Sequence, residues 1–127
     1  MPNHDLTLRR TVPILRIFDV VKAKEFYVDY AGFKIDWEHR FDERAPLYMQ
    51  VSLGDIVLHL SEHHGDACPG SAVRFEVRGL KTFHEALVAK NYGYLRPGIE
   101  KKPWGWRQLQ LLDPFGNRLN FEEETAK

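Results

Sequence analysis

A short pattern, Gly54-Asp55-Ile56-Val57-Leu58-His59-Leu60, returns about sixty residues later as Phe115-Gly116-Asn117-Arg118-Leu119-Asn120-Phe121. Each copy comes after a helix-like stretch that ends at a glycine, Gly32 in the first half and Gly93 in the second. Recurrence of similar elements in one order indicates an internal repeat, and the repeat fixes the architecture. The side chains that differ at matching positions then bear on function.

The first copy predicts the order β-α-β-β-β over residues 11–62. Residues 11–18 are apolar and β-branched, and Asp19 is a natural N-cap for the next element. Over residues 20–30 the apolar side chains recur every three or four positions, which predicts a helix with one buried face. Alternating residues then predict three strands, 33–38, 48–53 and 56–60, the last two joined by a hairpin turn at Gly54-Asp55.

The second copy predicts the same order over residues 72–123, after a linker at 61–71. Its predicted elements are a strand at 72–77, a helix at 80–90, a short strand at Tyr94 and Leu95, and strands at 108–112 and 118–122 around Asp113-Pro114-Phe115-Gly116-Asn117. The predicted fold class is therefore α+β, with two tandem βαβββ modules whose curved mixed sheets enclose a cleft. We expect a single domain over residues 1–127.

Composition excludes several classes of function. The 127 residues are 43% hydrophobic and can bury one domain-sized core. Eighteen basic residues balance eighteen acidic ones, so no global field favours nucleic acid or an anionic membrane. No apolar run approaches the roughly 20 residues of a transmembrane helix, and the start lacks the apolar core of a signal peptide. The single cysteine, Cys68, excludes an internal disulfide, and we expect a cytosolic protein.

The paired units and the turn at 113–117 resemble the glyoxalase, bleomycin-resistance and extradiol dioxygenase superfamily. The likeness also includes the stretch from Phe18-Asp19-Val20 to Gly32-Phe33 and covers residues 11–123. Segments 13–19 and 58–66 make the chain most similar to the bleomycin-resistance branch. The resemblance implies the glyoxalase/bleomycin-resistance fold.

The resemblance also implies where a metal would be held in relatives that use one. Such relatives place His, Glu or Gln on the first and last strand of each unit, and the matching positions here are Val12, His59, Ala72 and Asn120. Two of these side chains have no donor atom, and an asparagine is a poorer ligand than a carboxylate. A divalent ion needs about three protein N or O donors to compete with water. We therefore expect no metal and no other cofactor.

Ligand contact is predicted for a set of mainly aromatic residues. Two tryptophans around Gly105 lie in a loop, where flat rings are available for stacking on a planar ligand. His59 faces away from the apolar positions of its strand, which favours either a cleft role or a histidine satisfied by a neighbouring strand. The predicted ligand-binding residues are Trp37, Tyr48, His59, Trp104, Trp106, Arg107 and Phe115, and none is assigned a catalytic role.

Other reactive side chains have simpler interpretations. His63 and His64 are adjacent in a loop and point in different directions, so they favour a linker over a metal site. Cys68 has no neighbouring base to activate it and is interpreted as an ordinary loop thiol. Charged residues on the strands leave the sign of the cleft open.

The leading hypothesis is a non-catalytic, bleomycin-resistance-like protein that binds and sequesters a small aromatic or cationic molecule. The resemblance implies a homodimer with two clefts at the subunit interface, with residues 3–8 as a candidate exchanged arm. Drug-binding members tend to be acidic, whereas this chain is neutral, which argues against bleomycin itself as the natural ligand. The alternative is a glyoxalase-superfamily enzyme, lyase or dioxygenase-like, that either binds a metal through ligands at other positions or uses His59 and a carboxylate without metal. A third hypothesis is a dimeric sensor with a self-filled cleft.

Overall fold

Two copies of one βαβββ arrangement make up the computed structural model, which describes residues 5–93 and 95–125. The first copy contains β1 (Ile14–Arg16), α1 (Val20–Lys24), a π-helical segment (Glu25–Tyr30), β2 (Lys34–His39), β3 (Tyr48–Leu53) and β4 (Ile56–Ser61). The second contains β5 (Ala72–Glu76), α2 (Leu80–Ala89), β6 (Ile99–Lys102), β7 (Trp106–Leu112) and β8 (Arg118–Glu124). Within the described part of the chain, no helix has the length and apolar content needed to cross a membrane.

The two sheets have the same topology. Their strand orders are β1-β4-β3-β2 and β5-β8-β7-β6. In each sheet the first strand runs parallel to the last, with Ile14 opposite His59 and Ala72 opposite Arg118, and the other pairs are antiparallel. The predicted fold class is confirmed.

The first helix begins where the sequence predicts. The Asp19 carboxylate accepts a hydrogen bond from the backbone N–H of Lys22 at 2.9 Å, as an N-cap does. The helix then widens, because the N–H of Ala31 donates to the carbonyl of Phe26, five residues back. Gly32 ends the segment with a φ of +90°, a conformation that suits glycine.

Two predicted strands are corrected. The first strand was expected over residues 11–18, but it spans only Ile14–Arg16; Pro13 has no N–H to donate, although its carbonyl accepts from the N–H of His59 at 2.9 Å. The strand expected at Tyr94 and Leu95 is wrong at Leu95, and Tyr94 lies outside the described residues. The strand lies instead at Ile99–Lys102, after Pro97 and Gly98. It is an edge strand rich in charge, which hides the alternation that marks half-buried strands.

The core lies on one face of each sheet. Along β3 and β4, Met49, Val51, Leu58 and Leu60 are buried, whereas the residues between them face away from the core. The second sheet contributes Phe75, Leu109, Leu111, Leu119 and Phe121 to the core in the same way. The opposite face of each sheet is therefore left with polar and aromatic side chains. Of the predicted arm, residues 3 and 4 lie outside the described part, and residues 5–8 are exposed.

The turn at 113–117 joins the two modules. The buried Asp113 carboxylate accepts from the backbone N–H groups of Phe115 and Asn117 through Oδ1, at 2.8 Å each. Its Oδ2 accepts from the Tyr27 hydroxyl at 2.7 Å and from Nδ2 of Asn117 at 2.8 Å. The same amide group of Asn117 donates to the carbonyl of Arg16 at 2.9 Å. One turn in the second module therefore holds both the helix and the first strand of the first module.

Candidate functional site

The predicted ligand-binding residues lie in separate places. Trp37, Tyr48 and His59 come together on the solvent-facing side of the first sheet, which we call the first face. Trp106 and Arg107 lie on β7 of the second sheet. Within residues 5–93 and 95–125, no hydrogen bond or ring contact joins the two sets. A cleft that includes both sets remains a prediction.

A β-bulge brings Trp37 onto the first face. Ile35 pairs with Val51 and Trp37 pairs with Gln50, so Asp36 is an extra residue in β2. Simple alternation would place Trp37 on the same side as Ile35, but the bulge redirects the strand. The indole ring is 42% exposed and lies nearly parallel to the Tyr48 ring, at 12° with 6.0 Å between centroids. This offset pair presents flat aromatic surface to solvent.

A line of hydrogen bonds connects Tyr48, His59, Gln50, Asp36 and Ser52. The Tyr48 hydroxyl lies 2.7 Å from Nδ1 of His59, and Nε2 of His59 lies 3.0 Å from Oε1 of Gln50. Nε2 of Gln50 donates to Oδ2 of Asp36 at 2.9 Å, and the Ser52 hydroxyl donates to Oδ1 of Asp36 at 3.0 Å. Both ring nitrogens of His59 are therefore engaged. The alternative in which a neighbouring strand satisfies His59 is correct here, and it coexists with a place on the first face.

The pKa values of these groups shift in directions that keep this line intact. Burial, followed by the charge of Arg10, lowers the pKa of His59 and favours the neutral imidazole. Burial, followed by the charge of Asp66, raises the pKa of Tyr48 and favours the neutral phenol. The hydrogen bond from Gln50 is the main reason that the pKa of Asp36 is lowered, so this carboxylate stays ionised. At neutral pH the only charge within the line lies at Asp36.

Sequence reasoning missed part of this site. Gln50, Ser52 and Asp36 were not predicted as site residues. The period of two along β3 could have shown that Tyr48, Gln50 and Ser52 share a face. The place of Asp36 could not have been found in this way, because it depends on the bulge.

The second sheet carries a different set of contacts. The guanidinium of Arg74 lies 4.7 Å from the centroid of the Trp106 ring, and its Nε donates to the buried Glu122 carboxylate at 2.6 Å. Gln108 donates to the other oxygen of Glu122 at 2.8 Å. Burial raises the pKa of Glu122, but the hydrogen bonds from Gln108 and Arg74 outweigh it and hold the pKa below its ordinary value. Trp106 is thus already stacked on a cation.

A cavity of about 680 Å³ lies beside this set. It is lined by charged side chains of both signs together with Trp106, and it does not include Trp37, Tyr48 or His59. Arg107 lines it and donates to the Glu123 carboxylate at 2.5 Å. The predicted residues Trp106 and Arg107 therefore border a real concavity, where Arg107 is paired with Glu123, while its buried Nε has no hydrogen-bond partner among the described residues.

Trp104 and Phe115 lie apart from both sets. Trp104 is 62% exposed, and the ammonium of Lys102 lies 5.8 Å from the centroid of its ring. Phe115 packs against Phe18, with 6.1 Å between ring centroids, at the junction of the modules. Ligand contact by these two residues remains a prediction.

The residues present do not fit the metal that some relatives are expected to hold. Val12 and Ala72 offer no donor, and the Asn120 side-chain oxygen already accepts from Gln110 at 2.9 Å. His59 has no free nitrogen. Among residues 5–93 and 95–125, no three His, Cys, Asp or Glu side chains are grouped so that they could hold an ion.

The paired βαβββ modules with exposed polar faces define a two-module α+β class. The sequence matches the family model described as "Glyoxalase superfamily protein" over residues 3–127, and the chain belongs to the glyoxalase superfamily. No curated protein gives a significant match to the sequence.

Solved structures show the same fold. A bleomycin-binding protein complexed with bleomycin is 22% identical, with a TM-score of 0.70 over 92% of this chain and 99% of that chain. A bleomycin resistance determinant encoded on the transposon Tn5 is 22% identical, with a TM-score of 0.71 over 94% and 100%. A glyoxalase-related enzyme from Clostridium phytofermentans is 18% identical, with a TM-score of 0.72 over 96% and 99%. A bleomycin-binding protein, a bleomycin resistance determinant and a glyoxalase-related enzyme thus share this architecture.

Proposed function

We propose that this protein binds and sequesters a small planar molecule on the first face, without catalysis and without the superfamily metal. The observation that carries this proposal is the half-exposed Trp37 ring, which lies nearly parallel to the ring of Tyr48. The Tyr48 hydroxyl is in turn hydrogen-bonded to His59. Flat aromatic surface beside a few fixed polar groups is what recognition of a small planar ligand needs. Structural relatives that bind bleomycin or confer resistance to it support this class of function.

The state of His59 favours binding over acid–base chemistry. A general base needs a lone pair within reach of the proton that it removes. Nδ1 of His59 is engaged by the Tyr48 hydroxyl, and Nε2 is engaged by Gln50. The lowered pKa of His59 also makes its neutral form a weaker base.

We further propose that a second copy of the chain covers the first face. The face is open on the single chain, since Trp37 is half exposed and Phe41 nearby is 80% exposed. An exposed aromatic surface of this kind is typical of a protein–protein interface or of a ligand site. A second copy of the chain forms the interface and encloses the ligand between the two chains. Light scattering coupled to size exclusion tests this point, and we expect a dimer of about twice the chain mass of 14.9 kDa.

The binding experiment follows tryptophan fluorescence during titration with metal-free and copper-loaded bleomycin. We compare the wild type with Trp37→Ala and with Trp104→Ala, because Trp104 is also exposed but lies outside the first face. We expect saturable quenching with a Kd in the micromolar range or below, about −8 kcal/mol, in the wild type and in Trp104→Ala. Trp37→Ala should lose most of the affinity for bleomycin.

A parallel titration with divalent metal ions tests the enzyme alternative. Binding alone predicts that His59→Ala changes affinity and that no compound is converted. Tight one-to-one uptake of metal, or conversion of a bound compound that His59→Ala abolishes, would contradict the proposal. Loss of bleomycin binding in Trp104→Ala, with binding retained in Trp37→Ala, would place the site elsewhere.

A further inference from the structure

We infer that the first face selects planar ligands that present an N–H donor to the Tyr48 hydroxyl oxygen. This inference rests on the proposed function, since it concerns which ligands the proposed site accepts. It comes from the direction of the hydrogen bonds that link Tyr48, His59, Gln50 and Asp36.

The direction is fixed at the Asp36 end. An ionised carboxylate only accepts hydrogen bonds, and both Asp36 oxygens receive one, from Gln50 and from Ser52. Gln50 must therefore turn its NH₂ group toward Asp36, which leaves its carbonyl oxygen 3.0 Å from Nε2 of His59. This oxygen also only accepts, so Nε2 of His59 must carry the proton. The orientation of the amide and the tautomer are thus assigned by the network as a whole.

The polarity at the surface follows from this direction. A neutral imidazole with its proton on Nε2 has a bare Nδ1, which accepts the Tyr48 hydroxyl proton at 2.7 Å. The Tyr48 oxygen then has only lone pairs to offer to a ligand. A ligand with an N–H group can donate a hydrogen bond to the Tyr48 oxygen. A ligand with only acceptor atoms would instead place its lone pairs against those of Tyr48.

Charges of both signs lie near the site, and Asp66 acts on Tyr48 through its negative charge. Arg10 acts on His59 through its positive charge, and the Lys34 ammonium lies 3.7 Å from Asp36 and offsets that carboxylate. The nearly parallel rings of Trp37 and Tyr48 require the ligand to be flat. The selected class is a planar heteroaromatic compound with a ring or amide N–H.

Protonation of His59 reverses the polarity. Both ring nitrogens then donate, so Nδ1–H donates to the Tyr48 oxygen and the phenolic proton turns toward the ligand. Gln50 keeps its role, because its carbonyl still accepts from Nε2. The titratable and charged groups around this line are Arg10, Arg16, Lys34, Asp36, His63 and Asp66.

The first measurement needs no ligand. Long-range ¹⁵N–¹H NMR of histidine rings distinguishes the two neutral tautomers, and we expect His59 to have its proton on Nε2 at pH 8. Gln50→Glu removes the donor to Asp36 but still presents an acceptor to Nε2, so His59 is expected to keep its proton on Nε2 in this variant. A His59 ring with its proton on Nδ1 in the wild type overturns the inference.

The second measurement compares indole with benzothiazole by NMR titration. Both are flat bicycles of similar size, but indole offers an N–H and benzothiazole offers only a ring acceptor. At pH 8 we expect indole to bind the wild type roughly two- to ten-fold more tightly, the effect of one hydrogen bond. The preference should shrink or reverse as the pH falls through the pKa of His59, which NMR of the same ring follows. Tyr48→Phe should show no preference at any pH, because the ring remains and the hydroxyl is gone.

The outcomes separate this inference from the function on which it rests. Donor selection is overturned if the two probes bind with equal affinity, or if indole does not bind to a protein that binds bleomycin on the first face. Neither result contradicts the proposed sequestration. Failure of bleomycin and of both probes to bind overturns the proposed function itself. A preference that persists in Tyr48→Phe assigns the selectivity to another group and also overturns the inference.

Discussion

Replacement of Tyr27 by phenylalanine is expected to weaken the junction between the two modules. The Tyr27 side chain is fully buried, and its hydroxyl donates to Oδ2 of Asp113 at 2.7 Å. Burial, followed by the charge of Asp113, raises the pKa of Tyr27 well above its ordinary value, so the phenol remains a donor at any pH used for unfolding. Phenylalanine keeps the ring and removes only this hydrogen bond.

The expected loss in the free energy of unfolding depends on the hydrogen bonds that Asp113 keeps. A hydrogen bond to a charged group contributes about 1.5–3 kcal/mol. Oδ2 of Asp113 keeps its bond from Asn117 at 2.8 Å, so the carboxylate is not left bare and we expect a loss of about 2 kcal/mol. With a urea m-value of about 2 kcal/mol/M, the midpoint of unfolding falls by roughly 1 M.

The same helix provides a matched control. Among the described residues, no partner reaches the buried hydroxyl of Tyr30, three positions further along. Tyr30→Phe removes an unsatisfied buried group, so the free energy of unfolding should stay the same or rise. Urea unfolding followed by circular dichroism compares the two variants. If Tyr27→Phe costs no more than Tyr30→Phe, the bond to Asp113 does not stabilise the junction.

Three further perturbations test individual elements by urea unfolding. Burial and then Arg10 lower the pKa of His59, so the unfolded chain binds this proton more readily than the folded one. The free energy of unfolding should therefore fall as the pH drops below about 6.5. His59→Gln should make that fall shallower, and an unchanged pH profile would contradict the lowered pKa. Asp19→Ala removes the N-cap and should cost about 1 kcal/mol, most of it restored by serine; equal losses with alanine and serine would rule out a capping role. Gly32→Ala should cost about 1–2 kcal/mol because φ is +90° there, whereas Gly93→Ala, without a positive φ and with open space around its Cβ, should cost nothing; similar effects at both sites would refute this reasoning.

Much of the fold could be predicted from local patterns. Apolar residues with a period of two or near four indicate strands and helices, and Asp19 and Gly32 act on their immediate neighbours. The strand Ile99–Lys102 was missed for the same reason, because a charged edge strand has no apolar alternation to detect. Four of the seven predicted ligand-binding residues, Trp104, Trp106, Arg107 and Phe115, lie outside the first face, since residue type and local sequence do not show what a side chain packs against.

The sequence by itself determined the repeat, the two βαβββ modules and the lack of donors at Val12 and Ala72. The repeat is visible because similar residues return in the same order about sixty positions later, and the elements and missing donors depend on residue type and on local spacing. The tertiary structure decided that Trp37 joins Tyr48 and that the hydrogen bonds run from Tyr48 to Asp36. Both depend on the register between β2 and β3, where one extra residue changes which side chains meet across fourteen positions. Cross-strand pairing is set by the packing of the whole sheet, so no local pattern records it.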